Sequence, residues 1–401
     1  MSMLAIDGGR PVRSHPVAPW PSFDQPLIDR VAAVLRSGKV NYWTGDEGHR
    51  FEEEYAASVG RKHGIALANG TLALELALRV LGIGPGDDVV VTCRTFVASA
   101  SCAAMLGARP VFADVDADSQ NTTAQTIEAA LTPNTKAIIA VHLAGWPCEM
   151  DPIMQLAHNR GLKVIEDCAQ AHGARYKDKP AGSIGDVGAF SYCQDKIMTT
   201  GGEGGLIVLD DPELYESAWS FKDHGKSYDA VHRRQHPPGF RWLHETVGTN
   251  WRMTEMQAAI GRVLLGRLPD WVHRRREHAQ TLKEHLAAIE GIRLTIPPAH
   301  IYHSYYKFYC FVRPERLKQG WDRDRIMNAI SAEGVPCYSG GCPEVYREGV
   351  FAGAAAPGFC LPTAHELGRT SLMLLVHPTL SAQDIRDTAH AVEKVMQAAT
   401  A

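Results

Sequence analysis

The chain has 401 residues, 45% of them apolar and 21% charged, with a formal net charge of −4. That is room for one large and one small domain around a substantial core, and it is the composition of an ordinary soluble globular protein. No long lysine or arginine run points to nucleic acid, no apolar stretch approaches a membrane span, and the start Met1-Ser2-Met3-Leu4 lacks the charged-then-apolar pattern of a secretory leader. Nine cysteines, an odd number scattered over a long chain, do not form a disulfide framework. Cys337 and Cys342 have metal-like spacing, but no second pair completes a zinc site. Reduced, mostly buried thiols and a cytoplasmic location are the expectation.

Residues 11–26 carry Pro11, Pro16, Pro19, Pro21 and Pro26, so this segment reads as an extended arm on the surface. A helix is predicted from Pro26 to Arg36, with Leu27, Val31, Val34 and Leu35 on one face and Gly38 as its stop. Asn41 to Gly45 then forms a loop. From Ile65 the pattern alternates. Strands are predicted at Ile65–Leu67, Val89–Val91, Pro110–Phe112, Ala137–Val141, Val164–Ile165, Val187–Phe190 and Leu206–Leu209. Helices are predicted at Leu72–Val80, Val97–Leu106 and Met150–Arg160. Strand and helix alternating in this way specify an α/β fold, a mostly parallel central sheet covered by helices on both faces. In such sheets ligands sit at the carboxyl ends of the strands.

Residues 223–250 show no clear period and read as a long loop. Met253 to Leu268 keeps helical spacing. A long polar helix, Trp271 to Ile289, links to a smaller domain, and its Arg274-Arg275-Arg276 cluster reads as a solvated face. The predicted organisation is an arm over 1–26, a large domain over 27–270, and a linking helix with a small C-terminal domain over 271–401.

The chemistry concentrates between Lys163 and Leu209. A buried strand ends in Glu166-Asp167, a second strand ends in Ser191, and Lys196 follows in a turn flanked by Thr199-Thr200-Gly201-Gly202-Glu203-Gly204-Gly205. Lysine to form an imine, aspartate to pair with a ring nitrogen, and donors for a phosphate make pyridoxal 5'-phosphate (PLP) the candidate cofactor. Alone, Lys196 would be a solvated turn lysine and Asp167 a helix cap; their combination favours the chemical roles. Glu166 points to the opposite face and is structural. Asn69-Gly70-Thr71 before a helix offers amides to an anion, although Gly-Thr there is also an ordinary cap. Ser191 adds a hydroxyl to the same phosphate. Phe96 is suited to stacking on a flat ring, with a core phenylalanine as the alternative. Gln170 is a candidate for the ring or its hydroxyl, and His172 is a packed histidine.

Together with Val141-His142-Leu143-Ala144-Gly145, Thr95-Phe96 and Asn250-Trp251-Arg252-Met253-Thr254-Glu255, these motifs resemble the DegT/DnrJ/StrS family of PLP-dependent sugar aminotransferases, from about Gly8 to the C-terminus. The resemblance implies fold type I architecture with a smaller C-terminal α+β domain. It implies Lys196 as the imine lysine, Asp167 at the pyridine nitrogen, Phe96 stacked on the ring, Gln170 beside it, and Gly70, Thr71 and Ser191 at the phosphate. It also implies a homodimer with shared active sites, in which Asn250 completes the neighbouring subunit's phosphate site. The implied reaction moves an amino group from glutamate to a 3- or 4-keto nucleotide-linked hexose, for a surface polysaccharide or a secondary metabolite. Alternatives on the same scaffold are a keto-inositol aminotransferase, a lyase, or a PLP-binding regulator without turnover. A dinucleotide-binding oxidoreductase is disfavoured because Ala68-Asn69-Gly70-Thr71-Leu72-Ala73 is not a Gly-x-Gly-x-x-Gly turn. The 223–250 loop and Cys337–Tyr346 are expected on the substrate side.

Overall fold

The computed structural model describes residues 3–352 and 358–400. Its centre is a seven-stranded sheet of β1 (His63–Leu67), β2 (Asp88–Thr92), β3 (Arg109–Ala113), β4 (Thr135–Val141), β5 (Lys163–Asp167), β6 (Val187–Ser191) and β7 (Gly205–Leu209). Their spatial order is β1-β7-β6-β5-β4-β2-β3. All neighbours run parallel except around β7, which is antiparallel to both β1 and β6.

The strands read as unbroken apolar runs because both faces are covered. Ile207 and Leu209 of β7 pack toward the helices Gly70–Val80 and Pro212–Lys222, meeting Leu76, Leu78 and Trp219. Leu206 and Val208 face the other way, toward Phe51 and Tyr55 of the helix Glu47–Ser58 and Ala258 and Leu264 of the helix Glu255–Leu265. Val90, Ile138 and Val164 cover Met150 and Ile153 of the helix Met150–Arg160 in the same layer. A period of two on each strand thus feeds two separate helical layers.

The helix Glu47–Ser58 was not anticipated. Its four glutamates among few apolar positions hide a stripe of Phe51, Glu52, Tyr55 and Ala56 that is buried. The expected helix from Met253 to Leu268 ends earlier, at Leu265, and a second one runs from Leu268 to Leu286. Pro269 lies in the first turn of the second helix, where its missing N–H has no intrahelical partner to lose. The 223–250 segment contains one short helix, Tyr228–His232, and is tied down by backbone bridges between Lys226 and His244 and between Asp223 and Asn250.

A second, antiparallel sheet follows, of β8 (Ile292–Leu294), β9 (Phe308–Val312), β10 (Cys337–Tyr338) and β11 (Ser371–Leu374), in the order β8-β9-β11-β10. Leu282, Ile326, Ile330, Leu372, Leu374, Val392 and Val395 form its core with the helices Leu268–Leu286, Arg323–Ala332 and Ala382–Ala399. Val345, Tyr346, Phe351 and Leu367 return to the large sheet, where Phe112 of β3 packs on Tyr346 and Phe351.

The N-terminal arm is anchored to the C-terminal elements. The Ala5 and Val12 amides donate to Glu333 at 2.9 and 3.0 Å, and Arg13 pairs with Asp384 and Asp387. Among the described residues no helix is long and apolar enough to cross a membrane.

Candidate active site

The carboxyl ends of β1, β5 and β6 open into one cavity of about 1050 Å³, closed on its far side by Trp20 of the arm and by Tyr309, Tyr338 and Met373 of the second sheet. Strand β1 runs through Ala68 into Asn69, whose Oδ1 accepts the Leu72 amide at 3.0 Å and caps the helix Gly70–Val80. Gly70 and Thr71 stand at the positive end of that helix and line the cavity. Gly70 backs directly on Ser191, the last residue of β6: a Cβ at position 70 would lie 2.5 Å from the Ser191 Cβ. The close approach brings helix amides and the serine hydroxyl to one anion-sized corner.

At the end of β5, Asp167 is buried. Its Oδ1 accepts the Ala169 amide at 3.0 Å, and its Oδ2 accepts the Ser99 hydroxyl at 2.8 Å. Thr95 Oγ1 lies 2.9 Å from Ser99 Oγ and steadies it. Among the described residues no cation pairs with this carboxylate. A buried carboxylate held by neutral donors and open to a cavity is suited to a protonated ring nitrogen. Phe96 is 66% exposed and lines the same space, so it is not the core phenylalanine of the alternative reading. Gln170 Oε1 accepts the Ala144 amide at 2.8 Å, which leaves its NH2 group as the free donor.

Lys196 is half-buried, with Nζ 5.2 Å from the Tyr306 ring centre. Its carbonyl accepts the Trp20 indole N–H at 2.9 Å, so the arm fixes the lysine turn directly. Beside it Asp195 accepts the Tyr306 hydroxyl and lies 3.7 Å from Lys307 Nζ. Burial raises the Asp195 carboxyl, but Lys196, the Tyr306 hydroxyl and Lys307 outweigh this and hold it below its usual value.

The solvated reading of Arg274-Arg275-Arg276 fails at its centre. Arg275 is 1% exposed, donates from Nη1 to the Tyr306 carbonyl at 3.1 Å, and lies 5.1 Å from the Trp20 ring centre. Burial pushes its guanidinium down to about 9. The helix turns this position inward every 3.6 residues, and three consecutive arginines conceal that phase.

The structure therefore gathers Gly70, Thr71, Phe96, Asp167, Gln170, Ser191 and Lys196 around one cavity, and leaves Asn250 outside it. Asn250 is exposed and forms the backbone bridge to Asp223. Nothing from the 223–250 segment lines this cavity, whereas Tyr338, Gly340, Gly341 and Cys342 do. Glu166 and His172 are structural. Glu166 accepts His142 Nε2 and the amides of Gly182, Ile184 and Gly185. His172 bridges Tyr55 and the Ser191 carbonyl. Sequence reasoning missed Ser99, Tyr306 and Lys307. Ser99 carried a signal, sitting one helical turn after Thr95. The run His303-Ser304-Tyr305-Tyr306-Lys307 gave none beyond its aromatic and basic character.

The donor set and the shape fit PLP: phosphate donors in one corner, an unpaired buried carboxylate, an exposed aromatic face and an amine on one cavity. Comparison with known proteins agrees. The model of the DegT/DnrJ/EryC1/StrS aminotransferase family matches residues 21–393. The UDP-N-acetyl-3-dehydro-α-D-glucosamine 3-aminotransferase of Acidithiobacillus ferrooxidans is 36% identical over 375 residues, covering 92% of this chain and 95% of the relative. An aminotransferase structure from Psychrobacter cryohalolentis is 52% identical with a TM-score of 0.93, covering 96% of this chain and 99% of that one. A Streptococcus pneumoniae structure described as a sugar aminotransferase in its PLP form is 26% identical with a TM-score of 0.84, over 96% of this chain and 99% of that one.

Proposed function

We propose, because this chain belongs to the DegT/DnrJ/EryC1/StrS aminotransferase family, that it moves the amino group of L-glutamate onto a 3- or 4-keto nucleotide-linked hexose. The chain is a PLP-dependent transaminase. The observation that carries the reading is Lys196 and the unpaired, buried Asp167 on one cavity with a phosphate corner. The name of the Acidithiobacillus relative describes a UDP-linked sugar with a ketone at carbon 3, which supports that substrate class.

When bound, PLP supplies an aldehyde for amines and an electron-withdrawing ring that accepts the electron pair left as a donor's α-hydrogen departs. Gly70, Thr71 and Ser191 would hold its phosphate, Phe96 would stack on the ring, and Gln170 would offer its NH2 group beside it. Asp167, oriented by Ser99 and the Ala169 amide, keeps a proton on the ring nitrogen. Lys196 Nζ is the general base and then the general acid: it takes the proton from the donor's α-carbon and, in the second half-reaction, delivers a proton to the acceptor's former keto carbon. Trp20 of the arm steadies the lysine turn through its indole bond to the Lys196 carbonyl.

The functional unit in this reading is a cytoplasmic homodimer in which Asn250 reaches the partner's phosphate corner. Its parts are an arm over 1–26, a cofactor domain over 27–270, and a linking helix with a small domain over 271–401.

The test is the visible absorbance of the PLP-loaded protein before and after adding glutamate, with Lys196→Ala alongside. Loss of the long-wavelength band in the unsubstituted protein alone is the expected result. A band indifferent to every amino donor would sink the transaminase reading and favour a lyase or a regulator.

A further inference from the structure

The lysine end of the cavity is lined by Lys196, Lys307, Asp195 and Glu203. Arg275 is buried close by, against Trp20 and outside the lining, and Asp195 is the carboxylate beside Lys307. Asp195 is already engaged by the Tyr306 hydroxyl. Lys307 Nζ stands 3.7 Å from Asp195 Oδ2, beyond hydrogen-bond distance, and 4.7 Å from the Tyr306 ring centre. Among the described residues this largely buried ammonium makes no hydrogen bond, although it has three N–H groups to place. Burial, partly offset by Asp195 and reinforced by Arg275 and Lys196, brings it down to about 8. Its only ionic partner among the described residues is therefore Asp195 at 3.7 Å, and its N–H groups are left to whatever enters the cavity it lines.

The position limits what that ligand can be. Lys307 and Lys196 both lie against the ring of Tyr306 and both line the cavity, so an anion meeting Lys307 sits at the lysine end of it. The cofactor's phosphate belongs to the Gly70, Thr71 and Ser191 corner. A nucleotide pyrophosphate lies several bonds from a reacting ketone, whereas a carboxylate is one bond away in an amino acid and at most a few in a uronic acid.

We infer that Lys307 is a substrate-binding residue that receives a carboxylate, carried either by the amino donor or by the keto sugar. The inference rests on the transaminase reading, and it adds the group that recognises the substrate's charge. Asp195 and Tyr306 hold the ammonium in register from one side, and the cavity leaves the other side to the ligand.

The test is equilibrium binding to the PLP-loaded protein by calorimetry, using non-reacting probes. Glutarate stands for the donor, and UDP-glucuronate compared with UDP-glucose stands for the sugar. Lys307→Met is compared with Lys307→Arg, which restores a cation, and the cofactor band and thermal midpoint confirm that each variant is folded and loaded. The expected result is a loss of about tenfold or more in Lys307→Met for glutarate, for UDP-glucuronate but not UDP-glucose, or for both, with recovery in Lys307→Arg. Which probe responds identifies the source of the carboxylate. The inference is overturned if Lys307→Met binds glutarate and UDP-glucuronate like the unsubstituted protein. It is also overturned if UDP-glucose loses as much as UDP-glucuronate, or if the unsubstituted protein binds neither carboxylate probe. Bleaching of the band by glutamate is read separately, so failure of the transaminase reading stays distinguishable.

Discussion

Replacing Glu166 by glutamine changes one atom and tests how the floor of the site is built. Oε1 of Glu166 accepts the Ile184 and Gly185 amides at 2.6 and 2.7 Å, and Oε2 accepts His142 Nε2 at 3.0 Å and the Gly182 amide at 2.9 Å. Burial raises this carboxyl, but His142 and the Gly185 and Gly182 amides outweigh it and hold it below its usual value. A glutamine has one oxygen, so whichever way it turns, its NH2 faces two donors. His142 cannot reverse its role, because its Nδ1 already accepts the Cys148 amide at 3.0 Å. Two buried donors are therefore stranded, at about 1–3 kcal/mol each. Relief of the buried charge offsets part of this, so the expected net loss is about 3 kcal/mol. The assay is urea unfolding of the cofactor-free protein followed by circular dichroism. A loss below about 1 kcal/mol would refute the claim that this carboxylate pins the 182–185 turn under β5.

Four further outcomes follow from the site. Gly70→Ala drives a methyl group into Ser191, so PLP affinity, read by absorbance titration, should fall about tenfold or more. Burial pushes His172 from 6.5 down to about 4, so the folded protein binds fewer protons than the unfolded chain between those values. Stability from this residue is complete above pH 6.5 and is lost as pH falls toward 4, by about 3 kcal/mol; unfolding at pH 7 and 4.5 checks it, and His172→Gln should flatten the slope. Trp20→Phe deletes the indole bond to the Lys196 carbonyl and should lower the thermal midpoint by the equivalent of about 1 kcal/mol. Mixing the inactive variants Lys196→Ala and Asn250→Ala should restore about a quarter of full activity if sites are shared across a dimer, and none if each subunit acts alone.

Much of this architecture is legible in the chain because parallel, doubly covered strands leave unbroken apolar runs such as Val89-Val90-Val91. The lysine turn and the carboxylate closing β5 were equally visible, since each sits beside a strand end. Helix Glu47–Ser58 was hidden because the polar residues around Phe51 and Tyr55 mask a narrow buried stripe. Arg275 was misread for the opposite reason: local composition says surface, while the helix phase and the arm laid over it put the residue inside. Trp20, Tyr306 and Lys307 reach the cavity only through contacts between distant segments, which no local pattern encodes.

The antiparallel strand β7 joins the sheet between β1 and β6, and this orders events in time. Among the described residues β1 has no partner in the sheet except β7, which is made some 140 residues later. At ribosomal speeds of roughly 5–20 residues per second, the first strand waits about 7–28 seconds unpaired. The phosphate corner spans the same seam, with Gly70 and Thr71 following β1 and Ser191 closing β6. In the proposed reading the phosphate corner is therefore complete only after the seam closes, so cofactor capture would come late in synthesis, after a period in which β1 lacks its strand partner.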